Sequence, residues 1–505
     1  MSSDSYPHAT RILILNTVAF ILSFAAWMIN GVLVTFLVSN GLFNWSPLEI
    51  GFLLGIPVLF GSVTRLPIGI LTDKLGGKNV MTAILILSAV PLFFLSMANS
   101  YIVFFLLSFG FGLAGSSFAA GVAYTSLWFP KEKQGTALGI FGSGTLGASL
   151  TTLFSPTALK YLTNDGTNLE GWRTLPQLYA GMLILMAVIY WIGTKNKLPT
   201  QSKTFVERLA PLKEIRVWRF GLYYFFTFGS FVALAQWLIP YYVNVYSLSI
   251  VMAGFMATAF SFPAGIIRSL GGWLSDKSSA RTVLLWVFGT AIIGLIFLFP
   301  PRMELLAPGE GVISKNSGVV KEITANEIVV GDSRYVIQQQ EQERHDTKIY
   351  FGIHRDKEDF LLLPNANFWH EPQVKVGDSV LVGQLIAKGS THIYFQANIW
   401  IFTGIVFIIG LLMGIGSAAV YKHIADYYPT NIGAVGGIVG VLGGLGGFAG
   451  PIIFGYLLKT TGVWTTCWIF LSVVALVCII LQRFAIKAII QQDSEKKQKT
   501  TGALV

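Results

Sequence analysis

Charge is scarce in this chain. Asp, Glu, Lys and Arg make up 12% of 505 residues against 53% for the hydrophobic set, and the mean hydropathy is +0.63. A soluble domain carries about 25% charged residues, so a water-soluble enzyme or nucleic-acid binder is excluded. Cysteine is scarcer still, with only Cys467 and Cys478 present. Helical rise sets them about 16 Å apart on one helix, beyond disulfide reach, so they read as small hydrophobes. Nucleophile–base sets, phosphate-cradling loops and metal-ligand spacings are missing as well. His345, His354, His370 and His392 are scattered irregularly through one polar stretch and read as surface or packing residues. No cofactor, no metal and no enzymatic role are expected. One further absence is specific: outside residues 302–398, every Asp and Glu lies in a loop, a tail or at the end of an apolar run.

Apolar runs are what the chain has in quantity. Twelve of them, at 11–38, 47–71, 79–98, 101–128, 135–159, 174–194, 217–243, 249–274, 281–300, 399–421, 433–457 and 463–485, are long enough to cross a bilayer core of roughly 30 Å. The first lacks a small-residue cleavage site and reads as a span rather than a leader. The net charge of +10 falls mostly on one side of these runs, at Lys74, Lys78, Lys131, Lys133, the 195–219 region, Lys277, Arg281, Lys422 and the C-terminal tail. That asymmetry orients membrane proteins. It predicts a multi-pass protein of the cytoplasmic (inner) membrane with both termini in the cytoplasm, its basic charge set against the lipid bilayer and not against nucleic acid.

The basic segment 195–216 divides the runs into two sets of six, and a repeat crosses that divide. RLPIGILTDKLGGK begins at Arg65 and RSLGGWLSDKSSAR at Arg268, each arginine eight residues before an aspartate. Such repeats mark transporters whose substrate sits at the repeat interface. Asp73-Lys74 and Asp276-Lys277, assigned here to conformational gating, resemble the loop signature of the major facilitator superfamily. The expected division is 1–194 for the first six-helix half, 195–216 for a cytoplasmic linker, 217–301 and 399–486 for the second half, and 487–505 for a cytoplasmic tail.

Residues 302–398 interrupt the second half with a different composition. Short alternating segments such as GVISKNSGVVKEITANEIVVGDSRYVI predict strands, and VKVGDSVLVGQLIAKG (Val374 to Gly389) predicts a hairpin around Gly377-Asp378. The pattern resembles a barrel-sandwich hybrid, the fold of biotinyl and lipoyl carriers, without the MKM-like turn that presents a modified lysine. The reading is an all-β accessory domain on the outer face, with no chemistry of its own and a partner the residues do not name. The whole is an all-α membrane protein with a small all-β insertion between its ninth and tenth helices.

Arg65 stands in an apolar run roughly 12 Å along the helix from Asp73, and Arg268 repeats that offset. A guanidinium at such depth costs about 2.5–3.5 kcal/mol on insertion scales and faces a bundle interior or a water path. With no carboxylate at either depth, the two arginines leave an electrostatic hole that an anion fills, and their planar N–H pairs match a planar oxyanion.

Two long stretches identify the anion by resemblance. GLAGSSFAAGVAYTSLWFPKEKQGTALGIFGSGTLGAS (Gly112 to Ser149) and GAVGGIVGVLGGLGGFAGP (Gly433 to Pro451) are similar to the paired signatures of the nitrate/nitrite porter family. The resemblance covers both halves and omits only the insertion. It implies that nitrate lies between two rings, Phe118 and Phe228, gripped by Arg65 and Arg268, with Tyr224 as a hydrogen-bond donor. Where family members often carry asparagine, this chain has Thr145, whose hydroxyl can also donate. The signature glycines Gly139, Gly142, Gly144, Gly147, Gly440, Gly443, Gly444 and Gly447 let helices approach and slide. Without the resemblance, Phe118 and Phe228 read as core aromatics.

The implied function is secondary active transport of nitrate and nitrite by alternating access. Anion entry against an inside-negative potential requires coupling, by about 2.3 kcal/mol per charge per 100 mV. The absence of a deep carboxylate favours nitrate/nitrite exchange, while several family members are regarded as nitrate–proton symporters, so protons stay among the expected partners. An organic-phosphate or other small-anion exchanger and a non-transporting anion sensor are the alternatives.

Overall fold

The computed structural model describes residues 5–199, 209–300, 303–339, 365–395, 397–428 and 432–502. Among the described residues, ten helices are each long and apolar enough to cross a membrane. Two bent pairs, Pro47–Val63 with Arg65–Leu75 and Ile250–Ile266 with Leu270–Ser278, bring the spans to twelve. In chain order span 1 is His8–Ser39, span 2 the first bent pair, span 3 Gly77–Leu95, span 4 Tyr101–Ser126, span 5 Ala137–Leu162 and span 6 Leu169–Gly193. Span 7 is Ile215–Tyr246, span 8 the second bent pair, span 9 Ala280–Phe297, span 10 Ile399–Tyr427, span 11 Ala434–Thr461 and span 12 Thr466–Lys487. The span 12 helix runs on to Gly502, beyond the expected start of the tail, because the polar residues after it are good helix formers.

The bends measure 40° and 49°. Pro67 accounts for the first, since it cannot donate to the carbonyl four residues back and span 2 breaks at Thr64; the second lies one turn after Pro263, and the Ile267 amide still donates to the Pro263 carbonyl at 2.9 Å. Each break is followed directly by an arginine that opens an 11-residue helix, Arg65–Leu75 or Arg268–Ser278. The repeat extends to the backbone that ends these helices: Gly76 (φ 87°, ψ 150°) and Ser279 (φ 76°, ψ 141°).

Span 2 packs most closely on span 11. A Cβ on Gly51 would lie 2.4 Å from the Pro451 carbonyl oxygen, and one on Gly55 2.6 Å from that of Phe448. Small residues let the helices touch through their backbones, which is how spans associate where lipid removes the hydrophobic drive. Large apolar side chains such as Leu106, Ile192, Trp286 and Phe484 stay exposed, as suits a surface that meets lipid.

Residues 300–402 form a second compact unit. Its strands are β1 (Met303–Ile313), β2 (Gly318–Ile323), β3 (Glu327–Val330), β4 (Ser333–Val336), β5 (Asn365–Pro372), β6 (Ser379–Val380) and β7 (Leu385–Phe395). They make two antiparallel sheets, ordered β1-β7-β5 and β4-β3-β2-β6. The core between them is built from Val320, Ile328, Val330, Val380 and Ile386, with Tyr335 at its edge. The expected hairpin over Val374 to Gly389 is corrected. Gly377-Asp378 does form a tight turn, with φ 96° at Gly377 and the Lys375 amide donating to the Asp378 carboxylate at 2.7 Å. The strand that follows pairs with β2 instead of folding back, because burying Val380 requires it to join the other sheet. His345 and His354 lie outside the described residues, and His370 accepts a hydrogen bond from the Gln338 amide through Nδ1 at 3.0 Å. Ile386→Ala is expected to cost this unit about 2–5 kcal/mol, seen as faster amide hydrogen exchange in peptides covering β2 to β4 with the spans unchanged.

Candidate functional site

Three spans leave α geometry where the sequence places candidate residues. Span 4 tightens into a 3₁₀ turn at Gly112–Ser116, just before Phe118. Span 5 does so at Ser143–Leu146, around Thr145. Span 7 widens into a π turn at Phe225–Gly229, around Phe228, with the Ser230 amide donating to the Phe225 carbonyl. Hydroxyls drive the tight turns: Ser116, Ser117 and Ser143 each donate to a carbonyl three residues back, at 2.7, 2.6 and 2.6 Å. Single π turns inside α-helices occur frequently at functional sites.

Arg65 is 3% exposed, and its guanidinium carbon lies 5.4 Å from the centre of the Phe118 ring, 5.4 Å from that of Phe228 and 5.8 Å from that of Trp27. Arg268, half-buried, reaches Phe228 from the other half at 5.5 Å. The two bends therefore aim both arginines at one ring. Tyr224 stacks on Phe228, with centres 4.9 Å apart and planes 6° from parallel, and it lies in the field of both arginines. The ionisable groups that act on Arg65 are Tyr224, Tyr421 and Arg268, with no carboxylate among them. Arg65 Nη1 donates to the Gly440 carbonyl of span 11 at 2.7 Å, and its Nε has no partner among the described residues. One N–H thus ties the two halves together, and the rest of the fork is available to an anion.

A family model for the Major Facilitator Superfamily matches residues 15–307 and 379–503, passing over most of the insertion. The chain is 35% identical over 97% of its length to a probable nitrate/nitrite antiporter, NarK1, of Thermus thermophilus, covering 94% of that protein. This chain belongs to the nitrate/nitrite porter family of the major facilitator superfamily. A nitrite extrusion protein of Bacillus subtilis is 29% identical to the porter, over 60% of the porter and 75% of its own length. In fold the porter is similar to a bacterial homologue of the human lysosomal transporter Spinster, captured inward-facing and unoccupied, at 15% identity and TM-score 0.61, covering 97% of this chain and 99% of that one.

The remaining candidates of the porter divide by position. Thr145 is buried, and its hydroxyl donates within its own helix to the Gly142 carbonyl at 3.2 Å, so in this conformation its proton is committed there and the expected donation to an anion is not made. A Cβ on Gly144 would meet the Phe20 ring at 2.1 Å, on Gly147 the Ile21 carbonyl oxygen at 2.2 Å, on Gly443 the Tyr224 ring at 2.2 Å, on Gly444 the Ser62 hydroxyl at 1.9 Å and on Gly447 Val232 at 2.7 Å. Gly440 has ordinary contacts at 3.4 Å and beyond, while Gly139 and Gly142 face open space, so packing is not what the last two supply in this conformation. Of the loop charges, Asp276 pairs with Lys422 at 2.8 Å and Lys277 lies 4.2 Å over the Trp273 ring. Asp73 is half-buried near the end of its helix, and Lys74 is exposed.

Sequence reasoning missed Trp27 and Tyr421. Trp27 Nε1 donates to the Pro57 carbonyl at 2.8 Å beneath Arg65. Tyr421 stands edge-on to Tyr224 and Phe118, at 5.2 and 6.4 Å, and its hydroxyl donates to the Gly436 carbonyl at 3.3 Å. Beside Lys422 and His423, near the end of span 10, Tyr421 looks like an interface aromatic; its place in the site shows only in three dimensions. Tyr421→Phe keeps the ring and loses the bond to the Gly436 carbonyl, so it is expected to cost about 0.5–1.5 kcal/mol of stability, seen as a lower Tm, with anion affinity in a competition assay on purified porter changed little.

Proposed function

We propose that the porter exchanges nitrate for nitrite across the cytoplasmic membrane, with Arg65 and Arg268 gripping the anion between the faces of Phe118 and Phe228. One observation carries this reading: two guanidiniums, one from each half, converge on one ring, and no carboxylate is among the groups that act on Arg65. A flat delocalised anion gains dispersion from ring faces and in-plane hydrogen bonds from a planar fork. Tyr224 completes the grip as a donor.

We place both termini in the cytoplasm and the β insertion on the outer face, from the distribution of Lys and Arg. On that assignment the contacts beyond the site are closed, with Thr152 and Thr258 hydroxyls 2.9 Å apart and a Gly254 Cβ 2.3 Å from the Thr152 carbonyl oxygen. Gly139 and Gly142, on the cytoplasmic side, have open space. This disposition suits a state that releases its anion inward. Exchange follows from the charge balance: two arginines without a counter-charge cross between states best when an anion accompanies them in each direction.

The test is uptake of labelled nitrate into proteoliposomes, either preloaded with nitrite and without a pH gradient, or empty and acidified outside. Uptake confined to the preloaded vesicles is expected. Uptake driven by the proton gradient into empty vesicles overturns exchange and makes the porter a symporter.

A further inference from the structure

A second cationic pocket lies away from the arginine pair, between spans 7, 9, 10 and 12. It is lined by Arg219 and Tyr223, Arg281, His423 and Tyr427, and Gln482. Its enclosed part measures about 10 Å³, room for one water or one ligand oxygen. Two of its buried groups are orphaned. Tyr223 is 1% exposed and Gln482 2% exposed, yet neither the Tyr223 hydroxyl nor Gln482 Oε1 has a hydrogen-bond partner among the described residues. Gln482 Nε2 is already committed to the Arg281 carbonyl at 2.8 Å, so Oε1 is an acceptor in need of a donor. Arg281 donates to the Tyr427 hydroxyl, and Arg216 lies 4.5 Å over the same ring. Arg216, Arg219 and Arg281 have no ion-pair partner among the described residues. The nearby carboxylate, Glu214, accepts a hydrogen bond from Tyr428 at 2.5 Å.

The unmet demands are therefore negative charge for three arginines, an acceptor for the Tyr223 hydroxyl and a donor for Gln482. A phosphodiester bearing a neighbouring hydroxyl supplies all three. We infer that this pocket holds the headgroup of an anionic glycerophospholipid, with its phosphate among Arg216, Arg219 and Arg281 and a headgroup hydroxyl reaching Gln482. Trp218, 49% exposed on span 7 one residue before Arg219, is an aromatic of the kind expected where spans meet the headgroup layer. Basic pockets between spans on the cytoplasmic side bind such headgroups. The inference rests on the sidedness proposed above, and its test does not depend on transport.

Full-length porter is reconstituted into phosphatidylcholine with and without phosphatidylglycerol and repurified, and the retained phosphatidylglycerol is counted by mass spectrometry. The same is done for Arg219→Gln, Arg281→Gln, Tyr223→Phe, which keeps the ring, and Arg483→Gln, an exposed arginine at the same helix end. Retention is expected to fall about fivefold for each pocket arginine removed, to fall severalfold in Tyr223→Phe and to change little in Arg483→Gln. Unchanged retention in the pocket variants, or equal loss in Arg483→Gln, overturns the site. Inorganic phosphate is tested in parallel, for displacement of the retained phosphatidylglycerol and, in lipid-free detergent, for its effect on Tm. If it displaces the lipid and raises Tm as much as phosphatidylglycerol does, the lipid assignment falls and the pocket is a soluble-phosphate site.

Discussion

Arg65→Lys porter is expected to lose roughly 10- to 100-fold in nitrate exchange, the worth of a hydrogen bond to a charged group in a buried site, and to unfold at a lower temperature. An ammonium keeps the charge and loses the planar fork. It also loses the reach that lets Nη1 meet the Gly440 carbonyl at 2.7 Å while the guanidinium lies over Phe118 and Phe228. Arg268→Lys separates the two effects. Arg268 is half-buried and lies over the same Phe228 ring, so exchange should fall to a similar degree while Tm holds. Countertransport rates and thermal unfolding of the two variants, measured together, check the pair. Near-normal exchange in either variant overturns the two-arginine site.

Two glycine substitutions should move stability in opposite directions. In Gly443→Ala the new methyl would lie 2.2 Å from the Tyr224 ring, in a helix interface with no slack. The ring or span 11 must shift, and Tyr224 carries Phe228 with it through their stacked contact. Overpacking of this kind costs about 1–3 kcal/mol, and exchange should fall at least tenfold, because the displaced groups belong to the site. Gly139→Ala adds its methyl to open space in a helix, where alanine is preferred by about 0.8–1.0 kcal/mol. Its Tm should rise. Slower exchange in Gly139→Ala despite a higher Tm is expected as well, since span 5 packs through this face if the cytoplasmic side closes. Equal Tm changes in the two variants refute the contrast.

What was legible in the sequence follows from how costly each feature is. A guanidinium in an apolar run cannot be accidental, so Arg65 and Arg268 stand out, and the structure brings them to one ring. Phe118, Phe228 and Tyr224 needed the family resemblance, because a ring in an apolar helix has no chemical mark of its own. Trp27 and Tyr421 carried no mark at all, and their part in the site depends on bends and helix packing. The first bend traces to Pro67, yet a proline inside a span predicts a kink without its direction, and the bend at Ile267 has no such mark. In the insertion, alternation gave strands but not partners: the turn at Gly377-Asp378 joins two sheets, a choice made by the burial of Val380.

The π turn at Phe225–Gly229 changes how span 7 should respond to loss of a residue. In an α-helix, one deletion rotates everything beyond it by about 100°, which would turn the buried face of Ser230–Tyr246 away from its neighbours. Span 7 already carries one surplus residue at the turn, where the Ser230 amide bonds five positions back. Removing Phe225 would restore four-back bonding and leave Ser230–Tyr246 in register. A one-residue deletion in the middle of a buried membrane helix is thus expected to yield a folded porter, with only the residues left from the turn, Phe228 among them, moved from their places.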